Sequence, residues 1–118
     1  MNGLPPNLDL TALVGEELLQ LCFGAHQLQI HFDRRIQVMI ESECVLRGTT
    51  PDPMRVVDYS SAASSLCRLL GVKVLSAARA DDGGLLLCFA SGAELHVLND
   101  SQEHEAFQIH LDGKIYVA

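Results

Sequence analysis

Five histidines, four cysteines and paired carboxylates such as Glu41 with Glu43 are the residues of this chain best suited to hold a metal, attack a carbonyl or move a proton. A zinc site needs three or four ligands that converge, usually drawn from closely spaced pairs. His26, His31, His96, His104 and His110 are scattered, and the one dense cluster, "EHE" at 103–105, would send neighbours to opposite sides of a strand. The reading is therefore solvent-facing or rim histidines, with no metal and no cofactor. A reactive thiolate needs an electropositive, partly open setting with a base in reach. Cys22 lies between Leu21 and Phe23, and Cys44 between Glu43 and Val45, so these cysteines read as structural. Glu41 and Glu43 share one face of a strand and have the spacing for acid–base work, but exposed acids also serve to keep a strand edge from pairing. There is no phosphate-cradling glycine loop, no nucleophile elbow and no His-Glu-x-x-His. The expectation is a protein that is not an enzyme.

Charge is more informative. The net charge is −7, and it is unevenly spread. Residues 1–80 carry eight acids and seven bases, whereas residues 81–118 carry seven acids against Lys114 alone. An acidic surface repels phosphate backbones, which argues against nucleic acid as a partner; it favours a basic protein, or serves simply as a solvated face that aids solubility. Glu94, Asp100, Glu103 and Glu105 are the candidate partner-binding residues, grouped on one strand and the loop that follows it. No apolar run approaches the ~18 residues of a membrane span, and the amino terminus lacks a basic segment followed by an apolar one. With four cysteines in apolar surroundings and none in a Cys-x-x-Cys clamp, four buried free thiols in a reducing cytoplasm are expected.

These residues must be positioned by a scaffold, and the sequence repeats its scaffold. Leu28, Ile30, Phe32, Val38 and Ile40 recur 57 residues later as Leu85, Leu87, Phe89, Leu95 and Val97. Upstream the match continues with a one-residue slip that sets Gly15 against Gly71. Alternation of period two marks strands over roughly 17–23, 27–33 and 36–45, and again over 72–80, 84–90 and 93–98. Turn residues separate them: "GAH", "DRR", "DDGG" and "SG". An antiparallel three-stranded meander is thus used twice, because one such meander cannot bury its single apolar face alone.

Between the halves, residues 47–58 contain two prolines and read as an irregular crossover. The stretch 59–71 predicts the one helix, with Ala63, Leu66, Cys67 and Leu70 at helical spacing, Asp58 or Ser60 as cap and Gly71 as stop. Because Leu86 and Cys88 make the second meander apolar on both faces, this helix is expected to cover its back. After residue 105, Phe107, Ile109 and Leu111 alternate up to Asp112-Gly113, and Ile115 and Val117 follow it, which predicts a hairpin. The fold class is mainly β: two tandem antiparallel three-stranded meanders plus a C-terminal hairpin, one helix packed on the sheet, seven or eight strands, sandwich-like or a partly closed barrel. The whole chain, 1–118, reads as one domain with duplicated segments at about 13–45 and 70–98.

The ordered set "LVGEELLQLCF", "LQIHFD", "LLGVKVLSA", "LLLCFASGAELHV" and "EAFQIHLDGKIYV" resembles a group of small bacterial proteins of unknown function. They share a glycine-opened first strand, a Phe-x-x-Gly-x-x-Leu-x-Val hairpin and a Glu-x-Phe strand near the end. The resemblance covers about residues 13–117; it implies a bacterial, cytoplasmic origin and carries over no catalytic residue. In size, acidity and β-rich make-up the chain is also similar to bacterial immunity proteins that neutralise toxins, by analogy and not by motif. Two functions stand at this point. One is a protein-binding module, an immunity-like inhibitor of a basic partner, as monomer or homodimer. The alternative is a small enzyme or ligand-binding β-barrel whose site is scattered in sequence.

Overall fold

A computed structural model describes residues 3–33, 35–99 and 106–118. It is mainly β, with 42% strand against 12% helix, and consists of two five-stranded antiparallel sheets that do not close into a barrel. In chain order the strands are β1 (Gln20–Phe23), β2 (Leu28–His31), β3 (Ile36–Ile40), β4 (Cys44–Arg47), β5 (Met54–Val56), β6 (Val74–Arg79), β7 (Leu85–Phe89), β8 (Glu94–Val97), β9 (Phe107–Leu111) and β10 (Lys114–Val117). The first sheet runs β1-β2-β3-β9-β10 and the second β5-β4-β8-β7-β6.

That order shows how the duplication is used. Each half is a meander followed by a hairpin, and each hairpin joins the other half's meander: β4-β5 pairs with β8, and β9-β10 with β3. The registers correspond residue for residue. Leu28↔Ile40 in the first sheet matches Leu85↔Val97 in the second, and Gln20↔His31 matches Ser76↔Cys88. Ile40↔Phe107 likewise matches Val97↔Cys44. The two halves are therefore related by a pseudo-twofold axis, which can be located from hydrogen bonds. Glu17 and Lys73 are equivalent under the repeat, and they bridge each other directly. Around them the Leu18 amide donates to the Val72 carbonyl and, equivalently, Val74 to Glu16; Gly15 donates to Val74 and, equivalently, Gly71 to Leu18. Gly15 and Gly71 both have positive φ (85° and 79°), which lets the chain turn into this central ladder from each side.

Alternation then builds the core. Leu28, Ile30, Ile36, Val38, Ile40, Phe107 and Ile109 from the first sheet meet Cys44, Leu46, Leu85, Leu87, Phe89, Leu95 and Val97 from the second in one buried cluster. Leu4, Leu10 and Leu13 from the amino-terminal segment and Tyr59, Ala62, Leu66 and Leu69 from the helical segment complete it. Asp112 and Gly113 both have positive φ (48° and 91°), the requirement of a type I′ hairpin, as the Asp-Gly pair predicts. Among the described residues no helix is long and apolar enough to cross a membrane.

The structure corrects several boundaries. The described residues form ten strands, where seven or eight were expected. The strand expected over 36–45 is two, and they lie in different sheets. Side chains 36, 38, 40, 42, 44 and 46 are all buried, so the chain bends from one sheet to the other while keeping the same face on the shared core. Buried Tyr59 fastens the bend by donating its hydroxyl hydrogen to the Ser42 carbonyl. The crossover contains a short edge strand, β5, which begins directly after Pro53. The helix is one α-turn, α1 (Ala63–Leu66), between 3-10 turns at Ser60–Ala62 and Cys67–Leu69. Asp58 caps it by accepting hydrogen bonds from the Ser60 amide and the Ser60 and Ser61 hydroxyls. The tighter 3-10 winding shifts its buried face to Ala62, Leu66 and Leu69, leaving Cys67 and Leu70 exposed. Leu86 is not under this helix; it lines an open groove among polar side chains.

Leu66 is fully buried, so Leu66→Ala should lower unfolding free energy by about 2–5 kcal/mol in a denaturant titration. Leu70→Ala, at a residue 43% exposed, should cost under about 0.5 kcal/mol in the same experiment.

Candidate functional site

Where two halves share a scaffold, their differences locate what the scaffold does not require. The β6–β7 connection, 80–84, has one residue more than its counterpart at 24–27, and the connection from β8 to β9, 98–106, has six more than its counterpart at 41–43. These two insertions meet at Asp82. Its Oδ1 accepts hydrogen bonds from the Gly84 amide (2.9 Å) and from His96 Nε2 (3.1 Å), and its Oδ2 accepts one from the Asn99 amide (3.0 Å). Asn99 Nδ2 returns a bond to the Asp82 carbonyl at 3.2 Å. Gly84 makes the close approach possible, since a Cβ there would lie 2.1 Å from the Val97 carbonyl oxygen. In the first half the position equivalent to His96 is Met39, so this polar corner belongs to the second half alone.

The corner opens into a surface groove of about 450 Å³ on the outer face of the second sheet, between Arg47, Arg79, Asp81, Asp82, Leu86, Glu94 and His96. Alternation puts Glu94 and His96 on this face because Leu95 and Val97 face the core. Arg47 stands opposite Glu94 in the ladder, and the Cys88 thiol donates to Glu94 Oε1 at 3.6 Å. Arg79 is turned toward the amino-terminal segment, where its Nε donates to the Leu4 carbonyl at 2.7 Å. Partial burial works against the Asp82 carboxylate. The Asn99 and Gly84 amides and then His96 outweigh it, and together hold its pKa below the ordinary value. This arrangement keeps a negative charge fixed in position beside an imidazole; it can accept a cationic group, or orient the imidazole as a base.

Of the four candidate partner-binding acids, Glu94 lies on this groove, and Asp100, Glu103 and Glu105 fall outside the described residues. Of the histidines, His26 is exposed, and His104 falls outside the described residues. His31 and His110 stand on the outer face of the first sheet, on either side of Gln37. His31 Nε2 lies 3.1 Å from Gln29 Oε1, Gln37 Nε2 3.3 Å from His110 Nδ1, and His110 Nε2 3.1 Å from Gln108 Oε1, a chain of side-chain hydrogen bonds across the face. They help line a second groove of about 410 Å³. Among the described residues no group of three His, Cys, Asp or Glu side chains could hold a metal. Glu41 and Glu43 do not share a strand; they flank Ser42 at the bend, and Glu43 pairs with Arg55. Asp82 and Asn99 were not singled out by residue type. The signal for them in the sequence is the slip in the repeat, 56 residues before the β1–β2 loop and 57 after it, which places an extra residue at 80–84.

The cysteines are all free, but only Cys44 is buried; Cys22 and Cys88 are half-buried and Cys67 is exposed, contrary to the expectation of four buried thiols. Burial, with Glu43 adding its charge, pushes the Cys44 thiol up to about 12. In a native thiol titration Cys67 should react first, and Cys44 only on unfolding; early modification of Cys44 would contradict the packing described. For Asp82 the folded pKa lies below the unfolded value, so its contribution to stability is present above about pH 4 and is lost as pH falls through the folded value. Asp82→Asn should therefore flatten the acid limb of stability against pH. An unchanged acid limb would show that its hydrogen bonds are not maintained in solution.

Searches of curated proteins and of solved structures found no match. Residues 10–118, which include both sheets and the Asp82 corner, match one family described only as of unknown function (DUF6188), and this chain belongs to it.

Proposed function

We propose that this chain is a protein-binding module that engages a basic partner through the corner where Asp82, Asn99 and His96 meet. One observation carries the reading: the two places where the second half is longer than the first converge there. Connections are where a duplicated scaffold can acquire a function without disturbing its core. The local chemistry supports a cationic partner. Asp81, Asp82 and Glu94 line the groove, and Asp100, Glu103 and Glu105 follow Asn99 in the sequence. Arg47 and Arg79 offset part of that charge and would restrict which cation fits. An immunity-like inhibitor of a basic toxin, in a bacterial cytoplasm, is the specific form of this reading, and four free thiols are compatible with that compartment. The second reading is a small enzyme, favoured by the Asp82–His96 hydrogen bond in an open groove.

The test begins with a partner captured from native lysate by the wild-type chain. Asp100→Lys with Glu103→Lys should slow association roughly tenfold while changing dissociation little, and high salt should reproduce the effect. Gln37→Ala, on the first sheet, should leave both rates unchanged. A complex indifferent to salt and to the double reversal would end the acidic reading. A turnover abolished by His96→Ala but kept by the double reversal would favour the enzyme.

A further inference from the structure

Among the described residues seven large apolar side chains are exposed: Val14, Leu19, Phe23, Val57, Leu70, Leu75 and Ile115. Four of them form two pairs under the pseudo-twofold, Val14 with Leu70 and Leu19 with Leu75, each within three residues of Glu17 or Lys73 in the chain, and Glu17 and Lys73 bridge each other at the axis. In the ladder's register Leu19 falls beside Gly71 and Leu75 beside Gly15, so a glycine leaves each leucine uncovered by a cross-strand neighbour. The leucines face outward because the chain bulges at both. The β6–β7 register shifts between Val74 and Ser76, which leaves Leu75 as the extra residue. Leu19 holds the equivalent place, its amide donating to the same His31 that Gln20 opposes. A bulge commonly re-aims a side chain, and here two related bulges each turn a leucine to solvent (53% and 62% exposed) beside buried Leu18 and Val74. Large apolar side chains gathered at one place call for a covering surface.

We infer that this face is a homodimer interface whose occupant is a second copy of the chain, seated so that Glu17 of each copy faces Lys73 of the other. The charges at its centre select the arrangement. Two copies face to face are related by a twofold axis lying in the interface. An axis along the Glu17–Lys73 line sets like charges opposite one another; an axis perpendicular to that line sets Glu17 opposite Lys73 at both ends. Because the patch repeats itself about its own axis, the second arrangement also interleaves the leucines of the two copies, and the pair approaches 222 symmetry. A stable pair needs roughly 800 Å² from each copy, about an eighth of this chain's 6322 Å². The ladder is too small to supply that alone. It is flanked by β1 and β6, which apart from Val74 have no buried residue, and β6 offers Ser76 and Ala78 beyond Leu75, small enough for close approach. Neither Glu17 nor Lys73 lines the Asp82 groove, and the two surfaces adjoin along β6, where Ala78 pairs with Leu86 at the groove.

Sedimentation equilibrium on the full chain tests this through the charges. Wild type should be dimeric at micromolar concentration. Glu17→Lys and Lys73→Glu should each weaken self-association at least about tenfold, since each sets like charges opposite one another at both ends. Mixing the two single variants should restore a dimer, because the all-lysine centre of one then faces the all-glutamate centre of the other, although neither chain has regained its own cross-strand pair. Leu75→Asp should be monomeric, and circular dichroism checks that each variant remains folded. Wild type still monomeric near roughly 1 mM would overturn the inference. So would singles that fail to form a heterodimer on mixing, or a dimer that survives Leu75→Asp.

Discussion

A three-stranded meander has one apolar face and cannot leave it in water, and the rest of this fold follows from how the chain covers two such faces at once. The hairpins are exchanged: the strand that completes each sheet comes from the other half. Neither half can form its sheet without the other, because β3 needs β9 and β8 needs β4 on its outer side. The connection from β3 to β4 makes this exchange possible with three residues, 41–43. They bend the chain from one sheet to the other without turning its buried side away from the core. Tyr59 reaches the carbonyl at the centre of that bend, so the helical segment fastens the corner through Tyr59 and adds Leu66 and Leu69 to the core.

Which parts of this were legible in the sequence depends on whether a pattern had one structural meaning. Leu28, Ile30 and Phe32, repeated as Leu85, Leu87 and Phe89, have one: strands with one face in a core. Asp112-Gly113 has one as well, because few residue pairs tolerate positive φ at both positions. The bend at 41–43 was hidden for the opposite reason. Burial at every even position from 36 to 46 is what a straight strand requires and equally what a strand passing between two sheets around one core requires. The buried face of the helical segment was misplaced because the 3.6-residue period does not apply to ten residues of which six wind as 3-10 turns. In the Asp82 corner, Glu94 could be chosen from its charge. Asp82 and Asn99 owe their position to a long-range approach that no local spacing records, except as the slip in the repeat.

Duplication divides the molecule into what is shared and what is not, and the two parts differ in chemistry. The shared part is apolar and symmetric: paired registers, paired glycines at 15 and 71, paired bulges at Leu19 and Leu75. The unshared part is polar and one-sided, concentrated where the longer connections of the second half meet the outer face of β8. A side chain added to the symmetric part is met by its counterpart across the axis, so change there is constrained twice. A side chain added to the insertions is constrained once.

Strand β6 joins the two parts. Its first residues lie at the pseudo-twofold, with Leu75 bulged outward, and its last, Arg79, lines the groove beside Asp82. Four residue steps along the strand, roughly 13 Å, separate Leu75 from Arg79. The strand is paired on one side only over most of its length, to β7, because the central ladder with residues 16–18 ends near Val74. An edge strand so exposed is ordinarily a hazard for uncontrolled pairing. Here the bulge at its start breaks the regular run of backbone groups that a strange strand would need, while Arg79 at its end is held to the Leu4 carbonyl and the Leu4 amide to Gly83. The amino-terminal segment thus closes the end of β6 nearest the polar corner, and leaves its beginning, with the two leucines of the axis, as the part of that edge open to another surface.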